Sequence, residues 1–443
     1  MTRKLANLGG HASALLSIGA RGAGSVLQLL ATILIGNSAG AAAVALYITM
    51  LTWYRLAEIV LNLGVAPQAL RDGSRLSENT SAFWFLARVS KATTPLALAV
   101  TVAGIGWGLG VWALGAGEVA AVGVCGAVGG VSMAKSKLAI ELLKARGRGI
   151  IALLFEFSVV PALTIALVAG APGVWLGATG LTWIVAFAVA AVLSMVSSHL
   201  TLWAFERGRN HGREVRYSGL SSESKRFLSA GALGIALWVT PTLLVPIMVS
   251  GEDAGRFAVC FRLAAVAELI LGGLAAVFAP RFARYWGEGD TRHLAKSFAL
   301  SRAVAAAVFV PFVLVVAVFG TEVLSVFGDE FASARPVLLI AVCGHLVNAL
   351  TGLASELLLM TGAEREELAT SAIAWAYMLV ALVPATVVFG IGGAAFVYAS
   401  SLSIRTLLAY SRATRKMRAR VIPVPGGRTS RPASEANVTE AFR

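Results

Sequence analysis

The chain reads as a series of apolar stretches about twenty residues long, separated by short polar turns. A helix of that length crosses the hydrocarbon core of a bilayer. Twelve such spans are predicted, over 12–36, 41–66, 92–114, 117–140, 149–170, 174–203, 229–250, 254–280, 302–321, 335–361, 368–389 and 391–410. The connections alternate in charge. One set, 37–40, 115–118, 170–173, 251–253, 320–336 and 390–391, has Arg335 as its one basic residue. The other carries Arg71 and Arg75, then Lys144, Arg146 and Arg148, then a run from Arg207 to Arg226, then Arg281, Arg284, Arg292 and Lys296. Basic connections stay in the cytoplasm, which places both termini there. Segments 71–91 and 281–300 read as amphipathic cytoplasmic helices after the second and eighth spans. Pro161, Pro241, Pro246 and Pro311 predict kinks in spans five, seven and nine.

Composition supports the bilayer. The 443 residues are 57% hydrophobic and 14% charged, with a mean hydropathy of +0.78. A soluble fold of that size cannot hide so much apolar surface. A net charge of +14 would suggest nucleic acid in a soluble protein; here the charge sits in loops and a tail, and no nucleic-acid partner is expected. Cys125, Cys260 and Cys343 lie in apolar runs without metal-ligand spacing, so no metal, cofactor or disulfide framework is expected. Arg3 and Lys4 precede a helix too long and too polar along one face for a cleaved signal peptide, so it is kept as a span. Residues 411–443 read as a basic helix end followed by a disordered tail. Asn437-Val438-Thr439 falls in that cytoplasmic tail and is discarded as a glycosylation acceptor.

Two motifs recur. Leu138-Ala139-Ile140-Glu141-Leu142-Leu143 with Gly147 returns as Leu353-Ala354-Ser355-Glu356-Leu357-Leu358 with Gly362, an offset of 215. Ala66-Pro67 with Arg71 returns as Ala279-Pro280 with Arg284, an offset of 213. Near-equal offsets of about half the chain point to internal duplication. Six spans per half is even, so both copies of each motif end on the cytoplasmic side and the repeats are parallel. The expected organisation is a six-helix bundle over 1–203, a cytoplasmic linker at 204–226, and a second bundle over 227–410. The fold class is an all-α polytopic membrane protein.

Ionisable residues within spans are costly and usually face protein or water. Arg21 lies about ten residues, ~15 Å, into span one. Ser17, Arg21, Ser25, Gln28 and Thr32 share one helix face. Thr52, Arg55, Glu58 and Asn62 form a second stripe, and Gly344, Asn348, Thr351 and Ser355 a third. Arg256, Arg262 and Glu268 punctuate span eight. A cavity lined by Arg21, Arg55 and Arg262 would suit a diphosphate. The alternative is local neutralisation: Arg55 by Glu58, and Arg256 by Glu252 or Asp253. Glu58, Glu156, Glu268 and Glu356 could carry coupling ions, whereas Lys137 and Lys144 flank Glu141 as structural partners. His345 reads as a bonded packing residue.

With these residues in view, the chain resembles the multidrug/oligosaccharidyl-lipid/polysaccharide flippase superfamily, and within it the polysaccharide (O-antigen type) flippases. The resemblance covers about residues 10–415. It rests on the arginine-bearing first helix Ser17 to Thr32, on Leu34-Ile35-Gly36 followed by Ala42 to Pro67, and on the repetition of that span as Ala254 to Pro280. It implies two six-helix bundles about a V-shaped cavity that rocks between inward-open and outward-open states. In the related lipid II flippases, arginines of helices one, two and eight face the diphosphate; Arg21, Arg55 and Arg262 occupy matching helices. This chain lacks the two extra C-terminal helices of those flippases.

The expected function is a flippase in the cytoplasmic membrane. It would move a polyprenyl-diphosphate-linked oligosaccharide, with membrane lipids and the polymerase and glycosyltransferases of surface polysaccharide synthesis as partners. The alternatives are a lipid II-type flippase, a drug/cation antiporter or a scaffold of an export complex. An enzyme is disfavoured because the outer loops are a few residues long, 321–335 excepted.

Overall fold

A computed structural model describes residues 2–62, 65–75, 81–113, 117–170, 179–207 and 236–421. The side chains of Ser17, Arg21 and Glu268, most of the linker and the tail beyond Val421 lie outside the described set. Every described segment of length is helical, as lipid demands of a backbone that must satisfy its own polar groups. In chain order the helices are α1 (Thr2–Asn62), α2 (Val65–Arg75), α3 (Ala82–Ala113), α4 (Gly117–Ala145), α5 (Gly149–Phe157), α6 (Val159–Ala169) and α7 (Gly180–Glu206). Then come α8 (Ala236–Met248), α9 (Gly251–Ala264), α10 (Val266–Glu288), α11 (Thr291–Ser325), a 3-10 turn (Asp329–Ala334), α12 (Arg335–Thr351), α13 (Ala354–Met360) and α14 (Glu364–Val421).

Two of these are hairpins. α1 has 61 residues and α14 has 58, each far longer than one crossing needs. α1 reverses at Gly40 (φ 79) and α14 at Gly390 (φ 58), a backbone region glycine enters without steric penalty. Gln28 Nε2 donates to Tyr47 Oη at 2.9 Å across the first turn. Tyr377 and Ser400 hydroxyls lie 3.1 Å apart across the second, and Arg405 Nη2 reaches Glu367 Oε1 at 2.7 Å. With each limb counted, the interrupted pairs α5/α6, α9/α10 and α12/α13 taken as single crossings and the short α2 left out, twelve segments result in two six-helix halves.

The breaks differ from those predicted. α5 and α6 meet at 51° around Ser158, because Pro161 lacks the N–H that would bond the Phe157 carbonyl. α3 bends by 52° near Lys91, four residues before Pro95. Lys135 Nζ donates to the Ser90 carbonyl there at 2.5 Å. Span ten breaks at Gly352 (φ 69), so Ser355 and Glu356 do not continue the stripe of Asn348 and Thr351. Span eight breaks at Ala265. Pro241 and Pro246 do not interrupt α8; the Thr242 hydroxyl bonds the Trp238 and Val239 carbonyls nearby. In α11 the irregular backbone is at Phe319 rather than Pro311. The amphipathic segment after span two starts at Val65, and its second part is the start of α3. Segment 281–300 is the end of α10 and the start of α11, joined at Gly289 (φ 74). The basic tail remains helical to Val421.

The duplication is physical. At the end of α4, Gly147 N–H bonds the Lys144 carbonyl (3.0 Å) and Arg148 N–H the Leu143 carbonyl (2.9 Å), with Gly147 at φ 75. At the end of α13, Gly362 N–H bonds Leu359 (3.3 Å) and Ala363 N–H bonds Leu358 (2.9 Å), with Gly362 at φ 71. The repeated motif is thus a Schellman C-cap, which explains its terminal glycine.

The core is divided unevenly. One cluster joins both halves, with Tyr47, Trp183 and Phe187 in the same body as Phe257, Phe261, Phe331 and Tyr398. Toward the end bearing the basic connections the clusters separate. One draws only on residues between Val65 and Leu202, another only on residues between Phe278 and Ala413.

Candidate functional site

The halves meet where the second limb of α1 lies against α9. Two glycines permit the approach. A Cβ on Gly255 would sit 1.9 Å from the Ala41 carbonyl oxygen, and one on Gly36 would sit 2.2 Å from that of Phe327. Ala41 N–H donates to Glu330 Oε1 at 2.5 Å, which satisfies the first turn of the second limb after the Gly40 reversal. Asn37 Nδ2 donates to the Val326 carbonyl at 2.8 Å. Arg256 is spent in this junction: it pairs with Asp253 (2.9 Å) and Glu252 (3.4 Å), and its Nε donates to the Glu330 carbonyl (2.9 Å).

Deeper along the same contact, the helical register of α1 presents Tyr47, Tyr54, Arg55 and Glu58, and α9 presents Arg262. Arg55 Nη1 reaches Glu58 Oε2 at 2.9 Å; its side chain is 48% exposed and that of Glu58 13%. The Arg55 guanidinium also lies over the Tyr54 ring, 5.1 Å from the centroid. Arg262 is half-buried within electrostatic reach of Tyr47 and Arg55. Among the described residues it has no hydrogen bond or ion pair. Its backbone is held by Phe261, whose ring packs 4.4 Å from that of Tyr398.

A second charged cluster adjoins the first. Glu141 lies between Lys137 (3.2 Å) and Lys144 (3.0 Å). Glu156 pairs with the same two lysines, at 2.7 Å from Lys144. Glu58 is within electrostatic reach of Lys137. The cluster ties α4 to α5 just before the Ser158 bend.

The remaining site residues fall differently. Thr32 and Thr52 are fully buried, with hydroxyls on the Gln28 and Ile48 carbonyls, so they pack rather than face an opening. Gly344 packs on Ala399, 2.7 Å from where its Cβ would be. Ser25, Asn62 and Asn348 are half-buried. His345 is fully buried and bonds Tyr398 Oη at 3.0 Å. Glu356 is half-buried and has no hydrogen bond or ion pair among the described residues, although the Glu367–Arg405 pair is within electrostatic reach. Sequence reasoning missed Tyr47 and Glu330. The first shows only as one hydroxyl in an apolar run, and the second depends on a contact 289 residues distant. Among the described residues no group of three or more His, Cys, Asp and Glu could hold a metal ion.

Chemically, the junction offers one guanidinium without a hydrogen bond or ion pair among the described residues and one paired, half-exposed guanidinium. Guanidinium groups offer an anion planar, forked hydrogen bonding.

No family model and no curated protein matches the sequence. Solved structures do match. One is a MOP superfamily transporter from Pyrococcus furiosus Vc1, described by a reverse polarity of its binding pocket that suggests a different function. It has 16% identity, covers 92% of this chain and 95% of that one, and gives a TM-score of 0.61. A multidrug resistance MATE family transporter of the MOP superfamily in its inward-facing conformation has 14% identity, 92% and 99% coverage and a TM-score of 0.69. An outward-facing one has 16% identity, 92% and 95% coverage and a TM-score of 0.57. The chain therefore has the twelve-helix, duplicated fold of MOP superfamily transporters.

Proposed function

We propose that the protein is a flippase that moves a polyprenyl-diphosphate-linked oligosaccharide across the cytoplasmic membrane by alternating access. The observation that carries this reading is Arg262: a guanidinium half-buried at the seam of two bundles, without an anion from the described residues, beside a second arginine. A buried cation without a partner is costly, and a bound anion offsets that cost. The MOP fold supports transport. Separation of the two core clusters at the basic end supports a cavity open to the cytoplasm, with both termini on that side. Arg21 is proposed as a third phosphate ligand. Gln28, Ser25, Asn62 and Asn348 would line the same space, and Glu58, Glu268 and Glu356 are the candidates for ion coupling. The halves are taken as 1–203 and 227–410, with polymerase and glycosyltransferases as pathway partners.

A drug/cation antiporter is the second reading, supported by the likeness to a multidrug resistance transporter. In the deeper part of the junction two arginines, Arg55 and Arg262, meet one carboxylate, Glu58, among the described residues, which opposes it, since a cation exporter needs acidic groups.

The test is reconstitution in vesicles with a fluorescent polyprenyl-diphosphate oligosaccharide. The wild type is expected to translocate it. R262A should be slower by about ten-fold or more, the loss of one charge-assisted hydrogen bond. Transport of a cationic dye but not of the lipid-linked sugar would establish the antiporter instead.

A further inference from the structure

We infer that Glu58 is an internal competitor for the substrate's diphosphate: it occupies Arg55 when the cavity is empty and moves toward Lys137 when an anion arrives. The inference rests on the reading of the junction as a diphosphate site, and it adds a residue that sets affinity without touching the substrate.

Three observations carry it. First, the two arginines differ. Arg262 has no anion among the described residues, whereas Arg55 is held by Glu58 at 2.9 Å. Second, the Arg55 pair is poised for exchange. The Arg55 side chain is 48% exposed and the Glu58 side chain 13%, so the guanidinium is accessible while the carboxylate is largely covered. A carboxylate and a phosphate use the same fork of N–H donors, so one replaces the other without a change in arginine geometry. Third, Glu58 has somewhere to go. Lys137 lies within its electrostatic reach, in a cluster where two lysines meet two carboxylates, Glu141 and Glu156. Both lysines are already shared by those carboxylates, so a displaced Glu58 would gain attraction to Lys137 rather than a new ion pair, which lowers the cost of a charge in a low-dielectric region.

The exchange also links substrate to structure. Glu58 sits on α1, and its alternative partner sits on α4 in the cluster that secures α5 just before the Ser158 bend. Capture of the anion at the seam would thus redistribute charge inside the first half.

The experiment measures binding of farnesyl diphosphate and of inorganic pyrophosphate to the full-length protein in lipid nanodiscs. It compares wild type, E58Q, R55A, R55A/E58Q, K137M and E58Q/K137M, each first checked for monodisperse elution. E58Q is expected to bind farnesyl diphosphate about three- to five-fold more tightly, the release of one partly exposed ion pair. The double variant should equal R55A, because the gain passes through Arg55. K137M should bind more weakly than wild type, and E58Q/K137M should recover to the E58Q level. E58A is the second variant should E58Q fail to elute cleanly, with the same gain expected. Unchanged or weaker binding by E58Q and E58A, or a gain that persists without Arg55, overturns the inference while leaving the diphosphate site standing. No binding of either probe by wild type overturns both readings. Binding of farnesyl diphosphate but not pyrophosphate identifies a lipid-linked source; equal binding of both points to free diphosphate, and either outcome with the E58Q gain supports the exchange.

Discussion

Glu141 and Glu356 occupy the same position of the repeated motif, and their surroundings separate structure from function at the scale of one side chain. Glu141 is nearly buried between Lys137 and Lys144, whereas the equivalents of those lysines are Gly352 and Leu359. Replacing Glu141 by Gln leaves two lysines sharing Glu156. The expected cost is about 3 kcal/mol, as for one partner removed from a buried pair. E356Q should cost little, because no described cation depends on it. Chemical denaturation in detergent would show the difference; equal losses would refute it. A second residue-scale prediction concerns Arg262. R262K keeps the charge and loses the fork, so diphosphate binding should fall by about ten-fold although net charge is unchanged. Much of this was legible in the chain, since Lys137 and Lys144 stand one turn either side of Glu141, and Glu58 stands three residues from Arg55. Which arginine has no anion among the described residues was not legible. That depends on which groups of other helices surround it.

Helix count and repeat could be read from apolar length and from two short echoes. The breaks could not be read as reliably. A proline removes one hydrogen bond, but whether the helix bends depends on what fills the space beside the freed carbonyl. At Phe157 the space is filled by Gly24 of α1; a Cβ there would sit 2.4 Å from the Phe157 oxygen. In α8 a threonine hydroxyl supports nearby carbonyls instead, and the helix continues. The break at Gly352 has no proline at all. Arg302 fills it, with Nε on the Leu350 carbonyl at 2.9 Å and Nη1 on the Tyr410 hydroxyl at 2.9 Å. Basic residues thus support helix ends, Arg302 at the Gly352 break and Lys416 on the Thr361 carbonyl (2.8 Å). The element-scale prediction is G24L. The leucine would collide with the backbone at the bend, so α1 and α5 must part. The protein should remain membrane-inserted yet lose most transport, and G24A should lie between. Wild-type transport by G24L would show that this contact is not maintained during the cycle.

At the scale of the whole molecule, the two halves touch at one end and part at the other. The closest approaches at the closed end involve small residues and backbone groups: Gly36 against Phe327, Gly255 against Ala41, Ala41 N–H on Glu330, and Asn37 on Val326. The shared core cluster spans the same end, with Phe327 and Phe331 in one body with Ile35 and Val44, so the closure combines a few hydrogen bonds, each worth about 1 kcal/mol, with apolar packing between the halves. A transport cycle that opens this end must part that packing as well as the hydrogen bonds. Alternating access requires that it open. Asn37 and Val326 are in direct contact across it, side chain to backbone, so N37C/V326C is the informative pair. It is best built on a C343S background, because Cys343 is the exposed native thiol. A short reversible cross-linker should hold the closed end shut. Farnesyl diphosphate should still bind, because the basic end remains open, but vesicle transport should stop and return on reduction. E330A acts in the opposite direction. It removes the carboxylate that satisfies Ala41, and should shift the resting population toward opening at this end by about five-fold, read as faster labelling of N37C. Full transport by the cross-linked protein would mean that the halves do not part here, and that the seam holding Arg55 and Arg262 is never exposed to the opposite face.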